Sequence, residues 1–97
     1  MKGYFYILTN QNNSVLYAGV TSKLCDRILK HKTKRYPGSF TARYNVDKLV
    51  YYEMHNTIGE AIKREKQIKG GSRRKKVEMI NRVNPEWADL SEFEEGG

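Results

Sequence analysis

The chain has 97 residues, 38% hydrophobic and 30% charged, enough for one domain with one modest core that buries somewhat over ~60% of the unfolded chain's surface. Its longest apolar run is far short of the ~20 residues of a membrane span, and its start lacks the basic, apolar and small-residue pattern of a signal peptide, so a cytoplasmic protein with no membrane partner is expected. Cys25 is the only cysteine, which excludes an intramolecular disulfide and a cysteine-based zinc cluster, and it is read as a small apolar side chain.

The net charge of +7 hides an asymmetry, because all eighteen Lys and Arg precede residue 85 beside only six acids, a local balance of +12. The other five acids, Glu86, Asp89, Glu92, Glu94 and Glu95, follow. A body this basic calls for a polyanionic partner, most economically nucleic acid, bound in a strongly salt-dependent way. Charge alone separates neither DNA from RNA nor a working basic surface from a merely solubilising one.

Tyr4–Thr9 and Val15–Val20 are β-branched and aromatic, and Asn10, Gln11, Asn12 and Asn13 between them are turn formers, which predicts a β-hairpin. With those four residues as the whole loop, Tyr6 faces Tyr17, Leu8 faces Val15 and Tyr4 faces Gly19, so both phenols share one sheet face. A loop one residue longer or shorter would separate them. Thr21 and Ser22 offer N-cap oxygens to a helix over Lys23–Thr33, with Asp26 in its first turn. On that helix Leu24, Cys25, Ile28 and Leu29 fill an apolar arc of roughly 140°, and Arg27 and His31, i and i+4, lie just outside its edge. Spacing alone favours the plainer reading of these two as boundary residues, one paired with a carboxylate and the other solvated.

Residues 34 to 46 read as irregular, with Pro37 and Gly38 as breakers and Lys34, Arg35 and Arg43 interleaved with Tyr36, Phe40 and Tyr44. Such a loop suits nucleic-acid contact, although Phe40 and Tyr44 would serve at least as well as plugs of the core edge. A third strand, Lys48–Met54, places Leu49, Tyr51 and Glu53 on one face and Val50, Tyr52 and Met54 on the other. Both faces are largely apolar, as in a central or helix-covered strand.

The next helix opens with a capping box, Thr57 and Glu60, and ends at Gly70 and Gly71. Ile58, Ala61, Ile62 and Ile68 form its apolar stripe, and Glu65 falls in the middle of it. A carboxylate aimed at the core needs a cation, hydrogen bonds or water. A bridge to Lys69 at i+4 and a metal site at the floor of a cleft are balanced readings of it. Ser72 caps a last helix, Arg73–Val83, whose first turn holds Arg73, Arg74, Lys75 and Lys76 against the dipole, an arrangement that an anionic ligand would offset. Val77, Met79, Ile80 and Val83 form its buried side, and Pro85 stops it at Asn84. Trp87 and Leu90 read as a hook folded back on the domain, and residues 91 to 97 as a disordered acidic tail. The order β-β-α-β-α-α predicts an α+β (α/β) fold, a small three-stranded, mainly antiparallel sheet flanked by helices, in one domain over residues 1–90.

The phenol face, the Arg27 and His31 pair, the misplaced Glu65 and the basic surface together fit phosphodiester cleavage. That reaction wants a hard divalent ion, a cation for developing charge and a base for water. One Glu is enough protein ligation for Mg²⁺, which keeps most of its waters. A phenol is a poor base at neutral pH unless cations such as Arg27 and the metal lower its pKa.

The sequence resembles the GIY-YIG endonuclease superfamily. Tyr4, Phe5 and Tyr6 stand at its first motif and Tyr17, Ala18 and Gly19 at its second, with Gly3 one place early. The stretches Ala42–Asn45, Val50–Glu53, Arg64–Gly70 and Asn84–Leu90 are similar to a compact, single-domain bacterial subgroup, the UPF0213-like proteins. The resemblance implies Mg²⁺- or Mn²⁺-dependent cleavage leaving 5′-phosphate and 3′-hydroxyl ends. It assigns the metal to Glu65, the scissile phosphate to Arg27, the attacking water to Tyr6 or Tyr17, assistance in proton transfer to His31 and the motif glycine to Gly19. Lys30, Arg35, Arg43, Lys69, Arg73, Arg74, Lys75 and Lys76 make up the expected nucleic-acid-binding set. With no DNA-binding domain appended, a structure- or damage-directed DNA nuclease is expected, acting as a monomer on DNA ahead of RNA. The alternative is a binding module with a vestigial nuclease face.

Overall fold

Strand β1 (Gly3–Thr9) runs through the centre of a three-stranded sheet, between β2 (Leu16–Thr21) and β3 (Lys48–His55), both antiparallel to it. The computed structural model describes residues 1–34 and 38–91, so Arg35 and the acidic tail from Glu92 onward lie outside the described residues. Helices α1 (Leu24–Lys32), α3 (Ile58–Lys69) and α4 (Arg73–Val83) fall where the periodicity puts them. A four-residue helix, α2 (Phe40–Arg43), occupies part of the segment expected to be irregular, with the Ser39 hydroxyl accepting from the Ala42 amide. Among the described residues no helix is long and apolar enough to cross a membrane.

The expected hairpin register is wrong by two residues: Tyr6 lies opposite Gly19, Leu8 opposite Tyr17 and Thr9 opposite Leu16. The cause is Asn10, whose side-chain oxygen accepts from the amides of Ser14 at 2.8 Å and Val15 at 3.1 Å. Those amides are thereby drawn into a longer loop, and β2 starts one residue late. A shift of two preserves the alternation of side chains, so Tyr6 and Tyr17 still share a face, now as diagonal neighbours.

The two faces build separate halves of the core. Phe5, Ile7, Ala18 and Val50 pack with Ile68 of α3 and Ile80 of α4. Tyr6, Leu8 and Leu49 pack with Leu24 and Ile28 of α1 and with Val46. A break in the β1–β3 register between Ile7 and Leu8 explains why Leu49 and Val50 are both fully buried. It also corrects the expected faces of β3, since Tyr51 packs with Val50 while Leu49 belongs to the opposite half. A bulge of this kind leaves ladder groups unpaired. Here the C-terminal hook supplies partners: Asn84 Nδ2 donates to the Val50 carbonyl at 3.1 Å, the Leu90 amide to the Leu49 carbonyl at 2.7 Å, and the Leu49 amide to Asp89 at 3.2 Å. Trp87 and Leu90 pack on opposite halves of the core, as the hook reading expects.

The helix stripes are narrower than predicted. Cys25 and Leu29 on α1, Ile62 on α3 and Val83 on α4 are exposed. On α1 the buried side is centred on Leu24 and Ile28, rotated by roughly 50° from the apolar arc toward His31. Its N-terminus also departs from expectation: Lys23 is the N-cap without a side-chain cap bond, and the Thr21 hydroxyl accepts from the Lys23 amide at 3.1 Å. The Thr57 and Ser72 caps form as expected.

Gly19 is where the sheet admits Tyr6. A Cβ on Gly19 would stand 2.6 Å from the Tyr6 hydroxyl oxygen and 2.7 Å from Cζ, closer than packed atoms tolerate. Replacing Gly19 with Ala is expected to lower unfolding free energy by about 1–3 kcal/mol, the usual cost of overpacking, in a urea titration. An unchanged midpoint would show that Tyr6 does not lie over this glycine.

Candidate active site

The rotation of α1 brings His31 over the phenol face. His31 Nε2 is 3.4 Å from the Tyr6 hydroxyl, and Nδ1 is 2.9 Å from the hydroxyl of the buried Thr41 on α2. A hydrogen on Nδ1, donated to Thr41, leaves the Nε2 lone pair facing Tyr6. The imidazole also meets Tyr17 edge-on, with ring centroids 5.9 Å apart. Burial pulls the His31 pKa below its ordinary value and the nearby Arg27 guanidinium lowers it further, so the ring is neutral near pH 7.

Tyr17, Arg27 and His31 line one cleft of about 170 Å³, together with Lys30, Lys34, Ser39, Phe40 and Thr41. Tyr6 is not on its wall. It is 1% exposed, under the cleft, and its phenol is pushed far above the usual range, first by burial and then by Tyr17, against the pull of Arg27 and with a further push from the Glu65 carboxylate. Burial outweighs the pull of Arg27, so the Tyr6 hydroxyl is protonated near pH 7.

Glu65 is also absent from that wall, but its charge reaches the Tyr6 hydroxyl. Its side chain, 21% exposed, pairs with Lys69 at 3.4 Å. Lys69 in turn borders a second, shallower cleft with Leu16, Tyr17, Ala18, Phe40 and Lys76. Tyr17 and Phe40 are therefore the ridge between two cationic hollows. Phe40 stacks on Tyr17 with ring centroids 6.2 Å apart and tilts against Tyr44 with centroids 4.9 Å apart, and both Phe40 and Tyr44 are 48% exposed. They extend the aromatic face outward, and the core-edge reading of these two residues fails.

Of the other expected contacts, Lys30 pairs with Asp26 at 3.1 Å and lines the first cleft. Arg43 is exposed on α2, and Arg74 and Lys75 are exposed at the start of α4. Arg73 donates to the Asn13 carbonyl at 3.2 Å, tying α4 to the hairpin loop.

Sequence reasoning missed a polar cluster that ties α3 to β3. Glu53 of β3 receives Arg64 Nε at 3.0 and 3.1 Å and Nη2 at 3.1 Å, the Tyr51 hydroxyl, and His55 Nε2 at 3.0 Å. Burial works to raise the Glu53 pKa, but the bonds from Arg64, Tyr51 and His55 prevail and hold it below the usual carboxylate range. The available signal was a charged residue inside a largely apolar strand. The fork anchors α3 to β3 one residue before Glu65.

Two outcomes follow. Arg64→Met, which strands the Glu53 carboxylate, should cost roughly 1.5–3 kcal/mol in chemical unfolding, with Arg64→Lys recovering only part because an ammonium cannot make the fork; full recovery by Lys would contradict that role. For His31, a folded pKa below the unfolded one means that its contribution to stability is complete above about pH 6.5 and lost as the pH falls through the folded value. Wild type should therefore lose stability more steeply than His31→Gln on acidification below about pH 6.5, and parallel curves would contradict the neutral, half-buried ring.

Residues 2–78 match the family described as the GIY-YIG catalytic domain. A UPF0213 protein of Syntrophus aciditrophicus is 36% identical over 85 residues, covering 88% of this chain and 95% of that protein. A UPF0213 protein of Staphylococcus saprophyticus is 39% identical over 80 residues, covering 82% of this chain and 95% of its own. The solution NMR structure of a UPF0213 protein from Bacillus halodurans matches with a TM-score of 0.57 at 28% identity, covering 92% of this chain and 93% of that one. The chain thus belongs to the GIY-YIG family of nuclease domains and is similar, along most of its length, to the UPF0213 proteins.

Proposed function

We propose that the protein is a divalent-metal-dependent endonuclease that hydrolyses DNA phosphodiesters, directed by branches, flaps or damage. The observation that carries this reading is the position of Tyr17, which has Arg27 and His31 on one side and Lys69, the partner of Glu65, on the other. Both hollows are cationic and share one phenol, as a strand crossing from one to the other would require. Phe40 and Tyr44 add exposed faces on which bases can stack.

The donor set fits Mg²⁺ or Mn²⁺. Among the described residues no three His, Cys, Asp or Glu side chains gather into a protein cage, whereas a single part-exposed carboxylate suits an ion that keeps its waters and takes phosphate oxygens. Glu65 would hold it, and the bound ion would polarise the scissile phosphate.

The protein's own groups divide the remaining work. Arg27 offsets the charge that develops on the phosphate. Tyr17, the phenol on the cleft wall, orients the attacking water. The Tyr6 hydroxyl donates to Nε2 of the neutral His31 between turnovers, and when that hydroxyl hydrogen rotates away Nε2 accepts the proton of the water. The water oxygen bonds to phosphorus as the bond from phosphorus to the 3′ oxygen breaks, and the departing 3′ alkoxide takes a proton from solvent, leaving a 5′-phosphate and a 3′-hydroxyl.

The Glu65–Lys69 pair favours one competing reading, because it satisfies the carboxylate without a metal. In that case the domain binds nucleic acid and cuts nothing. Nicking of labelled branched, flapped and linear DNA and of matched RNA, with Mg²⁺ or Mn²⁺, separates the two. The nuclease should lose at least about 100-fold in rate in both Glu65→Gln and Arg27→Ala. Activity that survives both substitutions would sink the mechanism. Equal binding with no cleavage by any of the three proteins would establish the binding module instead.

A further inference from the structure

Lys69 occupies a contested position. Its ammonium is 3.4 Å from Glu65 Oε2, yet its side chain is 58% exposed and borders the second cleft beside Tyr17 and Lys76. The carboxylate it neutralises is the more buried partner, 21% exposed, and projects from the sheet-facing side of α3 between Ala61 and Ile68, both fully buried. A lysine this exposed forms a weak ion pair that does not lock its partner. It is nonetheless a unit positive charge where a divalent cation would have to come, and the two cannot share one carboxylate without strong repulsion. A four-carbon stem lets the ammonium leave while its Cα stays fixed.

We propose that Lys69 is a displaceable counter-ion. It holds the Glu65 carboxylate while no metal is bound, yields it when the metal arrives, and turns toward Lys76, where it meets the phosphate backbone of the strand crossing Tyr17. The inference rests on the reading of Glu65 as the metal ligand. It gives one side chain two effects of opposite sign: Lys69 weakens metal binding and aids cleavage once metal is bound. A residue that only supports α3 would, on removal, impair both.

The test is a Mn²⁺ titration of the DNA-free protein, with free Mn²⁺ read by electron paramagnetic resonance, paired with the cleavage rate at saturating Mn²⁺. Lys69→Gln should bind Mn²⁺ about fivefold more tightly than wild type, the relief expected from losing an exposed ion pair, while cutting about tenfold more slowly. Lys69→Arg, which keeps the charge, should retain wild-type Mn²⁺ affinity, and so should Lys76→Gln. Unchanged or weaker Mn²⁺ binding in Lys69→Gln would overturn the proposal, as would an equal gain in Lys76→Gln, which would reveal a general charge effect. Wild-type Mn²⁺ affinity in Glu65→Gln would instead overturn the metal-site reading beneath it.

Discussion

The contact on which the structure depends is the Tyr6 ring lying over Gly19. No other residue at position 19 leaves space for it, since a single added carbon would stand 2.6 Å from the hydroxyl oxygen. Buried there, Tyr6 fills the core half shared with Leu24 and Ile28 and still delivers its hydroxyl to His31. On the other side of the sheet, a Cβ on Gly3 would come 2.6 Å from the Ile58 Cα, so the start of α3 is seated directly on β1. The central strand thus carries both helices that matter to the site, α1 over one face and α3 over the other.

The electrostatic arrangement follows from that seating. Burial keeps the Tyr6 hydroxyl protonated and His31 neutral, a donor facing an acceptor, at the price of surrounding them with little solvent. The Arg27 guanidinium then lies near an uncharged imidazole, without like-charge repulsion. On α3, Arg64 is committed to the Glu53 carboxylate of β3, while the next residue, Glu65, pairs with the exposed Lys69. Neighbouring residues on one helix thus meet opposite fates, one clamped to the sheet and the other exchangeable.

Much of this was legible in the sequence. Element order, both side-chain caps of the last two helices, the stop at Asn84 and the hook through Trp87 and Leu90 rest on local chemistry that the chain carries openly. Glu65 announced itself by standing in an apolar stripe. What was hidden depended on contacts distant in sequence. The hairpin register turned on a side-chain amide of Asn10 competing for backbone donors, which turn propensity does not register. The bulge at Leu49 and Val50 is supported by the hook some forty residues later. The rotation of α1 toward His31 reflects a sheet face that is apolar but ends in phenol hydroxyls, so the half-buried His31 packs against it while Cys25 and Leu29 stay exposed. Thr41, the partner of His31, lay in a segment read as irregular.

The central claim is that Tyr17 and Glu65 face one metal and phosphate site although they come from opposite sides of the sheet. Paramagnetic broadening by Mn²⁺ in amide NMR spectra of the protein bound to a short branched DNA tests it directly. The account predicts broadening centred on the amides around Glu65 and Tyr17, extending to Arg27 and His31, and abolished by Glu65→Gln. Broadening centred elsewhere, on the acidic residues after Pro85 for example, with the Glu65 and Tyr17 amides left sharp, would contradict it.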